Sequence, residues 1–239
     1  MMKEIGNGLW VAECDFVTFG LELGGRMSAV RLADGGLLLY NVIAIDDELA
    51  AELADIGEVR HIIAPNSFHY FYLAAAKERY PDAAVYLAPA LAKKRSELAG
   101  HTILDPGNAA DPSWPWRDDL DTIVVDGAPR VDEVILYHRA SRTLVVCDLV
   151  FHMREHRGLF GRMFFRLLGI HGKFRQSPLW RLLLTRDRQA AAASLQPIWG
   201  WDLERVIVAH GPIVEGSDSK ERLAEALRWM CRREQLAPG

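Results

Sequence analysis

"VRHIIAPNSFHYFYLAAAKERYPDAAVYLAP", residues 59–89, carries the fold in miniature. "VRHIIAP" (59–65) is rich in β-branched residues and reads as a short strand that Pro65 and Asn66 break. "FHYFYLAAAKERYP" (68–81) is helical up to Pro81, and "AAVYLAP" (83–89) is a second strand. On the N-terminal side lies "DDELAAELADIG" (46–57), helical in its apolar spacing, opened by two aspartates and ended by Gly57. On the C-terminal side "ALAKKRSELAG" (90–100) is another helix, closed by Gly100. Helix, strand, helix, strand, helix in sequence predicts α/β layering.

Further out, the first forty residues read as β. "GLWVAECDFV" (8–17) and "RMSAVRLADGGLLLYNVI" (26–43) contain strand-like runs, the second turned by "ADGG". "HTILDPGNAADPSWPWRDDL" (101–120) is rich in turn formers and is expected to be a surface loop. "DTIVVDG" (121–127), "VDEVILYHR" (131–139) and "RTLVVCDLVF" (142–151) predict three strands, the last two joined as an antiparallel hairpin through "RAS" (139–141). Residues 152–188 read as a helical insertion. "DRQAAAASLQPIWGW" (187–201) starts as a helix that Pro197 ends or kinks, and "ERVIVAH" (204–210) reads as the last strand. "SKERLAEALRWMCRREQL" (219–236) predicts an amphipathic terminal helix capped by Ser219.

The bulk numbers exclude several classes. A chain of 239 residues at half hydrophobic builds a core without disulfides or a structural metal. A single domain over 1–239 is expected. A formal charge of −4 argues against a nucleic-acid partner. Cys14, Cys147 and Cys231 are far apart and form no CxxC pair, as suits a reducing cytosol. The opening stretch has no signal-type apolar run, and no segment reaches the ~18 uninterrupted apolar residues of a membrane span. A cytoplasmic protein is expected.

Three strand ends carry polar groups the strands do not need: Asn66 with His69 just beyond, Asp148 after "TLVVC", and His210 after "VIVA". Ligands in layered α/β folds bind beyond the carboxyl ends of strands. Each residue alone has a plain reading: His210 bonding a carbonyl, Asp148 capping a turn, His69 exposed at a helix start. Together they make a candidate metal or acid–base site.

These segments resemble the metallo-β-lactamase superfamily. "TLVVCDLVF" is similar to the strand carrying that family's bridging aspartate, and His210 in "VIVAHG" to its last ligand histidine. "RMSAVRL", "HIIAPNSFHYFYLAAAKERYP", "VYLAP" and "EVILYHRASRTLVVCDLVF" resemble more closely a branch of it that is a domain of unknown function. The resemblance covers roughly residues 8–215 and implies a four-layer αββα sandwich with its site between the two sheets. It also implies hydrolysis of esters, thioesters, amides or phosphodiesters with one or two zinc, iron or manganese ions. The family's HxHxDH motif is degenerate here. Its place reads "PNSFHYF" (65–71), where His69 is the one candidate ligand and Asn66 a poor one. The family's third ligand histidine has no counterpart: "VDGAPRVDEVILYH" holds Asp126, Asp132 and Glu133 instead, and His138 reads as a hairpin residue paired with a neighbour.

His69, Asp148 and His210 therefore remain as metal ligands, with His69 and Asp148 also the catalytic candidates. Two histidines and a carboxylate suit one zinc, iron or manganese ion, or no ion at all. His152, His156 and His171 are spare histidines that could supply a ligand. Two readings stay open: a metal-dependent hydrolase with a mononuclear site, and a binding or scaffold protein that kept the sandwich and lost the metal. A β-lactamase in the strict sense is not expected, for want of an export signal. The insertion at 152–188 concentrates basic charge (Arg154, Arg157, Arg162, Arg166, Lys173, Arg175, Arg181, Arg186, Arg188) among apolar residues. It could pack on the body or on a second subunit of a homodimer, cover the site and steer an anionic small-molecule substrate, or touch a membrane surface.

Overall fold

The computed structural model describes residues 1–18, 21–98, 100–153, 159–167 and 169–231. Two sheets organise them. The first has seven strands in the order Met2–Gly6, Leu9–Cys14, Gly25–Arg31, Gly36–Tyr40, Glu58–Ala64, Ala84–Leu87, Thr102–Ile103. Its first four strands pair antiparallel and its last four parallel. The second has five, in the order Leu120–Val124, Val134–His138, Thr143–Val145, Arg205–Ile207, Val214–Glu215, with one parallel pair between Thr143–Val145 and Arg205–Ile207.

Alternation along unbroken apolar runs builds the layers. In "GLLLY" every residue is buried. Leu38 and Tyr40 enter the core between the sheets, whereas Leu37 and Leu39 face the helices Asp47–Ile56, Leu73–Arg79 and Pro89–Lys94. The second sheet does the same. Val134, Leu136, Val145 and Ile207 point inward; Ile135, Tyr137, Leu144 and Val206 pack against Arg188–Ser194 and Ser219–Leu227. Strands covered on both faces must read as continuous hydrophobic runs. The result is helix, sheet, sheet, helix.

The expected elements are present, with corrections. The hairpin joining 131–139 to 142–151 is there, Leu136 opposite Val145. Its second strand, however, leaves the ladder after Val145. The cause is Glu133, whose carboxylate accepts the backbone N–H groups of Cys147, Asp148 and Leu149 and so replaces ladder partners with a side chain. The helix expected from residue 68 starts only at Leu73, because Asn66 Oδ1 accepts from the N–H of Phe68 and His69 and holds a turn there. The surface loop 101–120 contains an edge strand, Thr102–Ile103, and the fully buried Trp116. The strand at Arg205–Ile207 is followed by one more, Val214–Glu215. Ser219 is not the cap of the terminal helix. Its Oγ donates to the Glu204 carbonyl, and Asp218 stands at the cap position. The insertion is mixed rather than helical: Leu159–Leu167 is a helix, Trp180–Leu184 a π-helical turn, and Phe174–Arg175 pairs with Phe151–His152 as a ribbon. Among the described residues no helix is long and apolar enough to cross a membrane.

Candidate metal centre

The parallel pairing in both sheets brings the carboxyl ends of Gly36–Tyr40, Glu58–Ala64, Thr143–Val145 and Arg205–Ile207 to one edge of the sandwich. Asn41, Asn66, Asp148 and His210 follow those four ends, and His69 arrives on the turn after Asn66. The three expected site residues meet. His69 Nε2 lies 3.2 Å from one Asp148 oxygen, and His210 Nε2 3.7 Å from the other. The two Nε2 atoms are 3.3 Å apart.

What surrounds these groups decides their protonation. His69 Nδ1 is 2.9 Å from Asn41 Oδ1, and the Asn41 amide is oriented by its Nδ2, which donates to the Arg26 carbonyl at 2.9 Å. His210 Nδ1 is 2.8 Å from the Gly24 carbonyl. Both partners can only accept, so both Nδ1 atoms carry their protons and donate. In the neutral form of each ring, Nε2 is left with its lone pair aimed inward at the same point. Histidines that bind metals are held in this way, by a second hydrogen bond that selects the tautomer.

Arg26 supports both arms. Its backbone carbonyl orients Asn41, and its guanidinium donates to the carbonyls of Val208 and Gly211, which bracket His210. The side chain is buried and its charge meets Glu13 at 2.6 Å. Asn66 is not a ligand but a bridge. Fully buried, its Nδ2 donates to Asp148 at 3.0 Å and to Glu133 at 3.4 Å. Trp180, from the insertion, donates its indole N–H to the Asp148 carbonyl.

The electrostatics are strongly perturbed. Burial would raise the Asp148 carboxyl, but the adjacent His69 and His210 and the Asn66 bond hold it down at about 2. Burial and neighbouring His69 push His210 down to about 4, so it keeps its Nε2 lone pair at neutral pH. For His69 burial is outweighed by the Asp148 charge, and its pKa is raised. Glu133 is pushed up to about 7 by burial and by Asp148, only partly offset by its three backbone donors. Such shifts cluster at functional sites.

A second donor set overlaps the first: His69, Cys147 and Asp148 each offer a ligand atom, all within 4.8 Å of one another. Cys147 is fully buried, and burial, then Asp148 and Glu133, keep it a thiol rather than a thiolate. Of the other residues singled out in the sequence, His138 pairs with Ser141 at 2.8 Å, as expected of a hairpin residue. His152 Nδ1 turns to the Pro212 carbonyl, and His156 lies outside the described residues. Sequence reasoning missed Asn41, Gly24, Arg26 and Trp180, because a supporting hydrogen bond from a distant strand leaves no local pattern.

Above the three groups opens a cavity of about 390 Å³. Asn41, His69, Asp148 and His210 form its floor; Ser177, Leu179, Trp180, Leu183 and Leu184 make the insertion one of its walls. Among the described residues, none of the insertion's arginines or its lysine lines the cavity. Arg181 and Arg188 stack instead on Trp229. Arg154 and Arg157 lie outside the described residues.

The fold is that of the metallo-β-lactamases. The enzyme of that class from Erythrobacter litoralis superposes with a TM-score of 0.65 at 15% identity, covering 95% of this chain and 96% of that one. The metallo-β-lactamase from Hirschia baltica gives 0.61 at 12%, covering 98% of both. FIM-1 from Pseudomonas aeruginosa, solved in a mono-zinc form, gives 0.59 at 12%, covering 96% of both. No curated protein matches the sequence. The model of the family described as "Domain of unknown function (DUF4336)" matches residues 7–158, more than half of the chain, and the chain belongs to that family.

Proposed function

We propose that this protein is a metal-dependent hydrolase with one catalytic ion held by His69, Asp148 and His210. The observation that carries the reading is the pair of inward Nε2 atoms 3.3 Å apart, both with their Nδ1 protons committed elsewhere. Two lone pairs facing each other at that distance repel unless a proton or a cation lies between them. Ligands on a tetrahedral zinc with bonds of ~2.0–2.1 Å stand about 3.3–3.4 Å apart, close to the 3.3 Å between the two Nε2 atoms and the 3.2 Å from His69 Nε2 to one Asp148 oxygen. Three protein ligands with one open position is the arrangement of a catalytic rather than a structural site.

A bound ion would polarise the carbonyl or phosphoryl oxygen of an ester, thioester or phosphodiester and acidify a water molecule. The chain's own groups do the rest. Asp148 offers one oxygen as a ligand and the other as proton acceptor, with Asn66 fixing the carboxylate plane. His69 and His210 would hold the ion through Nε2, each ring fixed by its Nδ1–H bond to Asn41 or to the Gly24 carbonyl, which leaves Asp148 as the group placed to take a proton. For an ester, water adds to the acyl carbon, the acyl–oxygen bond breaks, and acid and alcohol leave. Trp180 and the apolar walls limit water above the floor.

The test is metal content by plasma mass spectrometry, on protein purified without a histidine tag or chelator. About one zinc, iron or manganese per chain is expected. Asp148→Ala and His210→Ala should each lose it with an unchanged circular dichroism spectrum. Full content in both variants refutes the site.

A second reading is a binding protein without the metal. What favours it is that a protonated His69 closes on Asp148 at 3.2 Å with no ion needed. Failure to take up any of the three ions after incubation would select it.

A further inference from the structure

The cavity above the three groups is apolar out of proportion to the chemistry of its floor. Phe16, Leu23, Val42 and Ile43 line it from one side, and Phe151 and Trp180 from the other. Among the described residues, no lysine or arginine lines it. Among the described residues, its ionisable lining groups besides the tyrosines are His69, Asp148, His210 and the thiol of Cys14. The rim continues the same character into solvent: Phe68, Phe71, Leu179 and Leu183 are 43%, 67%, 41% and 54% exposed. Apolar side chains gathered at a cavity mouth mark a place where apolar surface is meant to be covered. Away from the floor, an anionic substituent would find no lysine or arginine among the described lining residues. The volume falls in the range of small-molecule sites.

We infer that the cavity takes an uncharged alkyl or acyl chain, with the polar reacting group of the same molecule seated on the floor against His69, Asp148 and His210. This rests on the hydrolase reading for the identity of the reacting group, an acyl ester or thioester, but not for the chain. The position of Trp180 serves both ends. Its ring forms part of the apolar wall, and its N–H holds the Asp148 carbonyl. One side chain thereby links chain binding to the floor.

Cys14 supplies an internal reporter. It lines the cavity and is partly exposed, whereas Cys147 and Cys231 are fully buried. Burial and Asp15 hold its thiol protonated above the ordinary range, so the reaction is run at alkaline pH. Alkylation of Cys14 by iodoacetamide, followed by intact mass on the folded protein, is measured against butan-1-ol, hexan-1-ol, octan-1-ol and decan-1-ol. Each is tested in chelator and again with zinc.

Protection should strengthen about fourfold for each added methylene, the increment for burying one such group. It should persist in chelator. Leu183→Glu and Phe71→Glu, both at exposed positions, should weaken decan-1-ol protection at least tenfold while leaving the melting temperature near that of the parent. Protection absent, or flat with chain length, overturns the assignment. A protein that takes up metal but shows no ladder loses the chain site and keeps the hydrolase reading. A ladder in a protein that takes no metal upholds the chain site and removes the hydrolase.

Discussion

Glu133→Ala tests the support beneath the centre. The carboxylate is fully buried and accepts three backbone N–H groups, at 2.8, 2.7 and 3.1 Å, from consecutive residues that are themselves buried. Truncation leaves those three donors without partners. Each costs about 1–3 kcal/mol, so the gross loss is about 3–6 kcal/mol once water entering the vacated space recovers part of it. Against this stands the burden of the charge. With its pKa pushed up from 4.5 to about 7, the native carboxylate loses about 3 kcal/mol of stability at pH 8, where both folded and unfolded chains are ionised. Removing it returns that amount, and the net cost at pH 8 is about 0–3 kcal/mol.

The pH dependence has a definite sign. A carboxyl whose folded pKa is raised contributes fully below the unfolded value, and its contribution falls as pH rises towards the folded value. Between pH 4.5 and 7 the parent therefore loses a stability increment that the variant never had. At pH 5.5 the parent has lost only about 1 kcal/mol of it, so Glu133→Ala should cost about 2 kcal/mol more there than at pH 8. Because Asp148 titrates in the same cluster, the step belongs to the pair. Urea unfolding at both pH values reads the difference directly. A variant as stable as the parent at both would refute the claim that Glu133 holds the 147–149 turn. A cost larger at pH 8 than at 5.5 would refute the raised pKa.

Asn41→Leu should weaken zinc binding 10–100-fold, read by competition with a chromophoric chelator, since His69 loses the acceptor that orients it. Arg26→Met should cost about 3–5 kcal/mol in urea unfolding, because it strands two bracketing carbonyls in the interior; a loss under 1 kcal/mol contradicts its role. Asp132→Asn should raise stability at pH 7.5 by up to about 3 kcal/mol and much less at pH 4: burial pushes that carboxyl up to about 6, and its φ of 43° suits asparagine. Gly211→Ala should unfold or badly strain the turn after His210, where φ is +94° and a Cβ would run into the His152 carbonyl oxygen; a native-like melting temperature would show the turn to be softer than that.

The layers were legible because burial on both faces leaves its mark in unbroken runs such as "GLLLY" and "VILYH", and helices between parallel strands leave theirs in a 3.6 period. Three site residues were legible because each stands just past such a run. What could not be read was where a run stops being a strand. "TLVVCDLVF" continues apolar to residue 151, yet the ladder ends at Val145 because a glutamate twelve residues upstream of it claims the following amides. The helix start moved from 68 to 73 for a similar reason, one asparagine side chain taking two backbone donors. Local propensity carries no record of either capture.

The same two captures explain how the site persists with Asn66 in the stretch that matches the family's degenerate motif and Glu133 in the stretch that lacks its third ligand histidine. Neither residue offers an inward nitrogen lone pair, but together they form a buried bridge beneath Asp148, Asn66 donating to both carboxylates. The carboxylate pair would repel without that amide between them, and the turn that presents Asp148 would lose its N–H partners without Glu133. A buried glutamate is costly to keep, and its three backbone donors are what hold it there. The turn it holds sets Asp148 against two histidines whose outer nitrogens are both committed to acceptors, the arrangement on which the proposed metal site rests.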